Sequence, residues 1–384
     1  MIKKALNYLE GDRAIWILTI LLLAFSMITV YSFVPVLVKT EGGTPFKYLL
    51  KHLIYVVIGF TIMYWIHKQD PKNISKLARF IFYLSIALLI FTFFFGVTVN
   101  NASRWIRIPI VSLTFQTSDF AKLALIIYLS RLLVKKKDLL NDWKQGFWPI
   151  VWPVIAICGL IAKDNFSTAG LVFAIALTIM FIGQVKIKMI GSLILGGILL
   201  FGMVILIHKA IPELNILPRY ETWENRLLNK MSDEKDITTN AQSINAELAI
   251  HNGGIFGRGA GKGDLKQYTA QAYADFFYAS FVEEFGLVGA LGLVMVYLIL
   301  LFRIIRIGLK SERLFETYLC IGIGLLLTTQ AVINMLVCTG VFPVTGQNMP
   351  LLAMGGSALV MVCVSLGIIQ SVARSQQTET ENQE

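Results

Sequence analysis

Ten long apolar runs divide the chain, and they constrain its fold more than any other feature. They lie near residues 14–37, 48–66, 77–97, 116–134, 148–162, 167–185, 188–208, 276–302, 315–340 and 350–373. A helix needs about 20 apolar residues to cross a bilayer. The runs lack the alternation of a membrane β-barrel, and most connections between them are short. The sequence therefore predicts an all-α, polytopic membrane bundle of about ten transmembrane helices.

The composition agrees with a membrane protein. Hydrophobic residues make up 56% of the 384 residues and charged residues 15%, with a mean hydropathy of +0.67. Soluble domains contain about 25% charged residues. The first apolar run is too long for the core of a cleavable signal peptide, so it is interpreted as the first span. Four cysteines, Cys158, Cys320, Cys338 and Cys363, lie in apolar segments without disulfide or metal-site spacing and are interpreted as packing thiols.

Basic residues set the predicted orientation. With a cytoplasmic N-terminus, the inner connections hold most Lys and Arg, including residues 135–137, Arg303 and Arg306, whereas the last outer loop, 341–349, holds none. The positive-inside rule then places both termini in the cytoplasm. Basic inner loops also account for the net charge of +10 without a nucleic-acid partner.

The chain is predicted to form one transmembrane domain, residues 1–374. A large extracytoplasmic loop, 209–275, separates helices 7 and 8, and its apolar stretches, such as "INAELAI", favour a functional role over disorder. The polar residues 375–384 are predicted to form a disordered cytoplasmic tail.

The long loop contains a glycine-rich stretch, "HNGGIFGRGAGKGD", at residues 251–264. It fails the Walker pattern, because Phe256 stands at the first glycine position and Gly263 follows Lys262. Its backbone N–H groups, with Arg258 and Lys262, could hold a diphosphate. The alternative is a solvated, turn-rich loop that faces anionic lipid headgroups.

Two acidic positions near the outer helix ends have structural as well as functional interpretations. Asp119 and Lys122 are three residues apart and share a helix face inside the bilayer. They predict either a polar cavity or a structural ion pair, because unpaired charges at this depth are costly. Asp164 is expected to cap the sixth span.

Asp275 stands where the basic end of the long loop meets the eighth span. It could be a helix cap, or a general base held among the aromatic residues of "AYADFFYA". Glu283 and Glu284 lie about 12 Å further along the helix, too far to share its proton, and are expected to pair with cations elsewhere.

The last outer segment, 339–358, is uncharged and rich in Gly and Pro. Irregular backbone at membrane depth is tolerated where it lines a cavity. The segment predicts either such a cavity lining or a plain turn between two spans.

Four segments, in this order, carry a resemblance to one family. "RWI" with "QTSDFAKLALIIYLS" resembles an arginine-tryptophan and Q-P-S-E-x-x-K-x-A segment, and "AELAIHNGGIFGRGAGKG" resembles A-I-x-x-G-G-x-x-G-x-G. "ADFFYASFVEEFGLVG" resembles D-F-I-F-A-x-x-x-E-E-x-G-x-x-G, and "QAVINMLVCTGVFPVTGQNMPLLAMGGSA" resembles Q-x-x-x-N…G…P-x-T-G…S-Y-G-G-S. The family is that of the SEDS (shape, elongation, division, sporulation) proteins, the FtsW/RodA-type peptidoglycan glycosyltransferases, and the resemblance covers nearly the whole chain.

The resemblance implies a polymerase of lipid II, an undecaprenyl-diphosphate-linked disaccharide pentapeptide, at the outer face of the bacterial cytoplasmic membrane. It implies that Asp275 is catalytic and accepts the proton of the acceptor hydroxyl in an inverting transfer. The residues expected to bind substrate are Arg104, Arg107, Asp119, Lys122, Gln242, Arg258 and Lys262. The residues expected to support the structure or line a cavity are Asp164, Glu283, Glu284, Gln330, Asn334, Pro343, Thr345, Gly346, Gly355, Gly356 and Ser357.

The resemblance also implies partners and a location. The expected partners are lipid II, a class B penicillin-binding protein transpeptidase, other division proteins and membrane lipids, with no nucleic acid. A divalent cation, Mg²⁺ or Mn²⁺, is left open, although the sequence shows no ligand cluster. The segment "RYETWENR" looks closer to division-type FtsW than to elongation-type RodA, which predicts work at the septum.

The chain departs from the family pattern at several positions. Thr117 stands for the usual Pro and Asp119 for the usual Glu, and Ala353 and Met354 stand for Ser and Tyr. These changes concern details of the substrate pocket. Three alternatives stay open: a flippase or transporter of lipid-linked precursor, a RodA-type elongation polymerase, and a non-catalytic scaffold of the division machinery.

Overall fold

The computed structural model describes residues 9–99, 102–108, 113–210, 237–269 and 272–381, and ten of its helices correspond to the ten predicted runs. They are α1 (Arg13–Glu41), α2 (Pro45–His67), α3 (Pro71–Phe95), α4 (Thr117–Lys135), α5 (Trp148–Ala162), α6 (Phe166–Ile182), α7 (Ile187–Ala210), α10 (Phe277–Lys310), α11 (Leu314–Cys338) and α12 (Gly356–Glu381). Two further helices, α8 (Ile237–Gly253) and α9 (Leu265–Tyr268), lie in the long loop. The predicted fold class, an all-α polytopic membrane bundle, is confirmed.

Eight helical segments of the described chain are long and apolar enough to cross a membrane. The two exceptions among the ten are α6, which has 17 residues, and α4, which contains Asp119, Lys122 and Arg131 within its 19 residues. α4 is almost wholly buried among the other helices, so Asp119 and Lys122 lie inside the bundle rather than against lipid. Arg131, nearer the end of α4, is half-buried and donates to the Ser75 carbonyl at 2.7 Å.

Successive helices of the bundle run in opposite directions, so their connections alternate between two ends. We call the end that holds the α2–α3, α4–α5, α6–α7 and α10–α11 connections the basic end, and the opposite end the loop end. The long loop and the last outer segment, 339–355, lie at the loop end. A cytoplasmic basic end stays a prediction of the positive-inside rule.

Polar and proline residues fix where several helices begin. The Asp12 carboxylate caps α1 by accepting the N–H of Ile15 at 3.0 Å, and α3 begins with Pro71 after the cap Asp70. α6 is capped by Asn165, whose Oδ1 accepts the N–H of Thr168 at 3.1 Å. The cap predicted at Asp164 is therefore wrong by one residue.

α12 lies at the centre of the bundle and α7 at its edge. The apolar window of α12 is 78% buried, whereas that of α7 is 6% buried. α12 packs closely on α2, because Gly59 faces the side chains of Leu359 and Cys363, and Gly367 faces the backbone of Met63. Small residues allow such close approach between membrane helices, where van der Waals packing drives association.

A small antiparallel sheet, which the sequence analysis did not predict, covers part of the loop end. It consists of β1 (Val97–Val99), β2 (Ala102–Ile108) and β3 (Leu113–Gln116), in the order β1-β2-β3. Its third strand is tied to the helices, because the Thr114 N–H donates to the Tyr55 hydroxyl at 3.2 Å and the Gln116 N–H donates to Ser357 Oγ at 3.2 Å. The sheet thereby joins the start of α4 to α2 and α12.

α10 is broken at Gly286, where the backbone has φ +68° and ψ −170°. The glycine-rich loop supplies the hydrogen bonds that the break removes: the N–H of Leu287 donates to the Gly254 carbonyl at 2.9 Å, and that of Gly259 donates to the Glu284 carbonyl at 2.9 Å. Gly257, with φ +80°, lies so close that a Cβ there would overlap the backbone of Glu284 and Gly286. The glycines of this loop therefore allow backbone to pack against backbone.

α12 continues to Glu381 and enters the segment for which the sequence predicts disorder. Gln376 Nε2 donates to the Ile307 carbonyl at 2.8 Å, and Gln377 Nε2 donates to the Gly11 carbonyl at 3.0 Å. Residues 375–381 are therefore helical, because the tail amides find partners at the ends of α1 and α10.

We expect Gly257→Ala to destabilise the protein, because alanine would have to adopt a left-handed conformation and its Cβ would displace the backbone of α10. The left-handed conformation alone costs about 1–2 kcal/mol. The matched control is Gly292→Ala, at a helical position of α10 with open space around the added Cβ. In detergent, thermal unfolding should begin several degrees lower for the first variant and should not shift for the second. Equal midpoints for the two variants would contradict the packing role of the loop.

Candidate active site

Asp275 lies in the turn 272–276, at the loop end and immediately before α10. Asp275 is half-buried, whereas Phe276 and Phe277, which follow it, are each 1% exposed. The N-cap position of α10 belongs to Phe276 rather than to Asp275. The aspartate therefore stands, half-buried, on a short turn at the loop end that is anchored by two buried aromatic rings.

Asn334 of α11 holds this turn in place. Its Nδ2 donates to the carbonyls of Asp275 at 3.1 Å, Ala274 at 3.3 Å and Gln347 at 2.8 Å, and its Oδ1 accepts the Tyr278 N–H at 3.3 Å. One fully buried side chain thus connects the aspartate turn, the first turn of α10 and the last outer segment. The resemblance pointed to Asn334 as a supporting residue, and the contacts give the physical reason.

The last outer segment lines a polar cavity between the helices. The Met354 N–H donates to the Tyr273 carbonyl at 3.1 Å, which joins the segment to the aspartate turn. Gly346 has φ +70° and Leu351 has φ +64°, and such a conformation at a non-glycine residue is typical of a constrained functional segment. Of the two interpretations of this segment, the structure favours a cavity lining over a plain turn.

Asp119 and Lys122 face this cavity. They form a buried ion pair with an N–O distance of 2.7 Å, and Asp119 Oδ2 has no hydrogen-bond partner among the described residues. Gln347 completes the lining: its Nε2 donates to Thr168 Oγ1 at 2.6 Å, and Gln330 Nε2 approaches its Oε1 at 3.5 Å. The cavity has a volume of about 40 Å³, which is room for roughly three water molecules. Such waters could donate hydrogen bonds to the unpaired carboxylate oxygen of Asp119.

The sequence analysis did not single out Gln347 or Thr168. Both are uncharged residues, and a lone Gln or Thr in a membrane protein gives no signal of its own. Their roles depend on a contact between α6 and the last outer segment, which are 179 residues apart in the chain. The glutamine could have been found only from that pairing.

Glu283 and Glu284 hold the glycine-rich loop and α9 on α10. Glu283 accepts the N–H groups of Asp264 at 2.9 Å and Leu265 at 3.0 Å, and Arg258 Nη1 lies 3.4 Å from its Oε1. Glu284 accepts from the Ser32 hydroxyl of α1 and forms an ion pair with Lys266 at 3.0 Å. The sequence analysis expected both glutamates to pair with cations but did not name Arg258 or Lys266 as the partners, and both glutamates are buried.

The candidate cations of the loop end differ in availability. Arg258 is already paired with Asp264 and Glu283, so its charge is neutralised within the loop. Lys262 is exposed in the same loop, and Arg107 is exposed on β2. The backbone of Arg104 is on β2, and its side chain lies outside the described part of the structure. Gln242 is exposed on α8.

The remaining predicted residues lie around the cavity or in the helix connections. Thr345 is buried, and its Oγ1 has no partner among the described residues. A Cβ at Gly356 would overlap the Tyr55 ring, so glycine is required there. Pro343, Asp164 and Gly355 are half-buried in connections at the loop end, and Ser357 Oγ receives the bond from β3.

The described residues contain no cluster of three or more metal-ligating side chains. No three of their His, Cys, Asp and Glu side chains lie close enough together to hold a metal ion. Asp275 supplies one carboxylate, and the buried Asp119 carboxylate is paired with Lys122.

Comparison with known proteins identifies relatives over the whole length of the chain. It is 31% identical to the probable peptidoglycan glycosyltransferase FtsW of Geobacter sp. (strain M18) over 371 residues, covering 95% of this chain and 97% of that protein. It is 32% identical to the protein of the same name from Coxiella burnetii, covering 100% of both chains. Stage V sporulation protein E of Bacillus subtilis is 29% identical, with 93% of this chain covered and 97% of that protein.

Solved structures share the fold. One of them is a chain of a peptidoglycan synthase complex that coordinates polymerization and crosslinking. It superposes with a TM-score of 0.75 at 22% identity, and the match covers 95% of this chain and 98% of that chain. The rod shape determining protein RodA of Thermus thermophilus superposes with a TM-score of 0.68 at 22% identity, covering 96% and 98%.

The sequence model of the family described as "Cell cycle protein" matches residues 12–378, nearly the whole chain. This match, the two relatives above 30% identity and the fold shared with solved structures agree with one another. The chain belongs to the FtsW/RodA/SpoVE family of cell cycle proteins.

Proposed function

We propose that this protein is a peptidoglycan glycosyltransferase that polymerises lipid II into glycan strands. Its FtsW-named relatives at 31% and 32% identity support this activity. The observation that carries the proposal is the position of Asp275: a half-buried carboxylate at the loop end, fixed through Asn334 to the segment that lines a polar cavity. Such a position suits a substrate whose sugars lie outside the bilayer and whose lipid lies within it.

In the proposed reaction Asp275 acts as the general base. Its carboxylate takes the proton from a hydroxyl of the acceptor sugar while that oxygen attacks the anomeric carbon of the donor. The bond from the anomeric carbon to the diphosphate oxygen breaks, and the lipid diphosphate leaves with that electron pair. Attack from the face opposite the leaving group inverts the anomeric carbon.

The leaving diphosphate requires positive charge near the loop end. Lys262, Arg107 and Arg104 are the proposed contributors, because the first two are exposed and the third shares β2 with Arg107. Arg258 is a weaker candidate, since Asp264 and Glu283 already neutralise it. Lys122 serves better as polar lining than as a phosphate ligand, because its charge is paired with Asp119.

The proposal includes the location of the protein and its partner. We place the protein in the bacterial cytoplasmic membrane, with the basic end in the cytoplasm, and at the division septum, as the FtsW-named relatives suggest. A class B penicillin-binding protein is the proposed partner, because a structural neighbour belongs to a complex that coordinates polymerization and crosslinking. A RodA-type role in elongation is the alternative within the family.

Asp275→Asn tests the base, because it removes the charge and retains the shape. General-base catalysis contributes about 10²–10⁴-fold, so initial rates of glycan formation should fall at least about 100-fold. The assay uses the purified protein with its transpeptidase partner and labelled lipid II. The control is Asp138→Asn, an exposed acidic residue at the basic end, which should polymerise at the wild-type rate.

The same assay separates the rival functions. Wild-type rates for Asp275→Asn would remove the base assignment. A flippase would move labelled lipid II across vesicles without making polymer, and a scaffold would do neither.

Asn334→Asp tests the positioning of the aspartate turn. The variant retains an acceptor for the Tyr278 N–H but loses the donors to the Asp275 and Gln347 carbonyls. We expect kcat to fall about tenfold or more with KM little changed, because a misplaced base affects the chemical step. Val332→Ala, at an exposed position of α11, is the control. A rise in KM alone would show that Asn334 serves binding instead.

A further inference from the structure

A second and much larger cavity lies at the basic end of the bundle, at the opposite end from Asp275. It has a volume of about 660 Å³ and lies between the first residues of α1, the last turns of α10 and the end of α12. Cavities of 300–1,000 Å³ are typical of sites for small molecules. None of the residues that line this cavity has a role in the proposed reaction, so the cavity could bind a different ligand.

The cavity lining is rich in positive charge. It contains Arg13, Arg303, Arg306 and Lys310 against Asp12 and Glu312, a net charge of +2. Asp12 is paired with Arg303 through Nε at 3.2 Å. Within the described part of the chain, Arg13, Arg306 and Lys310 have no ion-pair partner, so three cationic side chains are available to a ligand.

The arrangement of the cations follows from the helix geometry. Arg303, Arg306 and Lys310 are spaced three and four residues apart, so they follow one face of α10 over about 10 Å. Arg13 faces them from the start of α1. A ligand with one or two phosphate groups can meet cations from two helices at once.

Hydrogen bonds fix the walls of the cavity. Buried Gln370 of α12 donates to the Asp12 carbonyl at 2.8 Å and accepts the Asp12 N–H at 2.7 Å. Gln377 exchanges two bonds of 3.0 Å with the backbone of Gly11, and Gln376 donates to the Ile307 carbonyl. The start of α1, the end of α10 and the end of α12 are therefore held together, and the cavity is preformed.

The surroundings indicate a lipid rather than a soluble phosphate. Phe302 and Leu309, on the last turns of α10, are 63% and 68% exposed, and Ile17 is exposed on α1. Phe302 lies one turn deeper than Arg306 on α10, and Ile17 lies one turn deeper than Arg13 on α1, on the same helix faces. This placement suits acyl chains below a phosphate headgroup. Basic pockets between membrane helices on the cytoplasmic side bind anionic lipid headgroups.

We propose that the cavity of the basic end binds the phosphate headgroup of an anionic phospholipid from the cytoplasmic leaflet. Arg306 and Lys310 of α10, with Arg13 of α1, contact the phosphate, while Arg303 stays paired with Asp12 and closes one side. The proposal depends on the charge and shape of this end of the bundle and is independent of the glycosyltransferase activity.

The test is lipid retention by the full-length protein. The protein is reconstituted in nanodiscs with equal amounts of phosphatidylglycerol and phosphatidylcholine, released, and analysed by native mass spectrometry. Wild-type protein should retain phosphatidylglycerol over phosphatidylcholine by about tenfold, and the double variant Arg306→Gln, Lys310→Gln should lose this preference. The exchange variant Arg306→Lys, Lys310→Arg should keep most of it, which controls for folding.

A matched double variant distinguishes the cavity from general surface attraction. Lys135→Gln with Lys137→Gln removes two exposed charges elsewhere at the basic end and should leave retention unchanged. An equal loss in both double variants would overturn the proposal. Titration of pyrophosphate into protein in phosphatidylcholine nanodiscs is the second arm. If pyrophosphate binds and this binding requires Arg306 and Lys310, while phosphatidylglycerol is not retained, the site is assigned to a soluble phosphate and the lipid proposal is overturned.

Discussion

The ion pair between Glu284 and Lys266 is the interaction on which the loop end of the bundle depends. Both side chains are about 95% buried, and Lys266 Nζ donates to Glu284 at 3.0 Å, Ser32 Oγ at 2.7 Å and the Gly261 carbonyl at 2.8 Å. Removal of one partner would leave an uncompensated buried charge, which costs several kcal/mol. The pair thus attaches the long loop to α1 and α10, and Glu283 reinforces the attachment through two backbone N–H groups.

The same attachment lies close in the chain to the proposed base. The chain runs from α9 through residues 270–271 to the aspartate turn, so the anchor at Lys266 lies nine residues before Asp275. Asn334 fixes the turn from the other side. A catalytic carboxylate must be held near its productive geometry by its neighbours. Here the neighbour that contacts the turn is one amide on α11, and the buried ion pair fixes the loop that leads to it.

The sequence predicted the helices well, because membrane helices are encoded in long local runs. It also predicted the local pair Asp119–Lys122, because residues that are three apart lie on the same face of a helix. It did not predict β1–β3, whose strands are short and whose pairing depends on turns. It also treated Arg258 as a free cation, although Asp264 and Glu283 neutralise it, because contacts between a loop and a distant helix are not visible in local patterns. The cap at Asn165 instead of Asp164 shows that helix boundaries are uncertain by a residue.

The contacts between the ends of the chain have a consequence for biosynthesis. Asp12 bonds to Gln370, which is translated 358 residues later, and Arg374 of the same helix donates to Glu10 and to the Lys68 carbonyl. The cavity formed by Arg13 and Arg306 cannot close until α12 has inserted. Until α12 has inserted, the backbone N–H and carbonyl of Asp12 lack their Gln370 partner, so the start of α1 is completed late in synthesis.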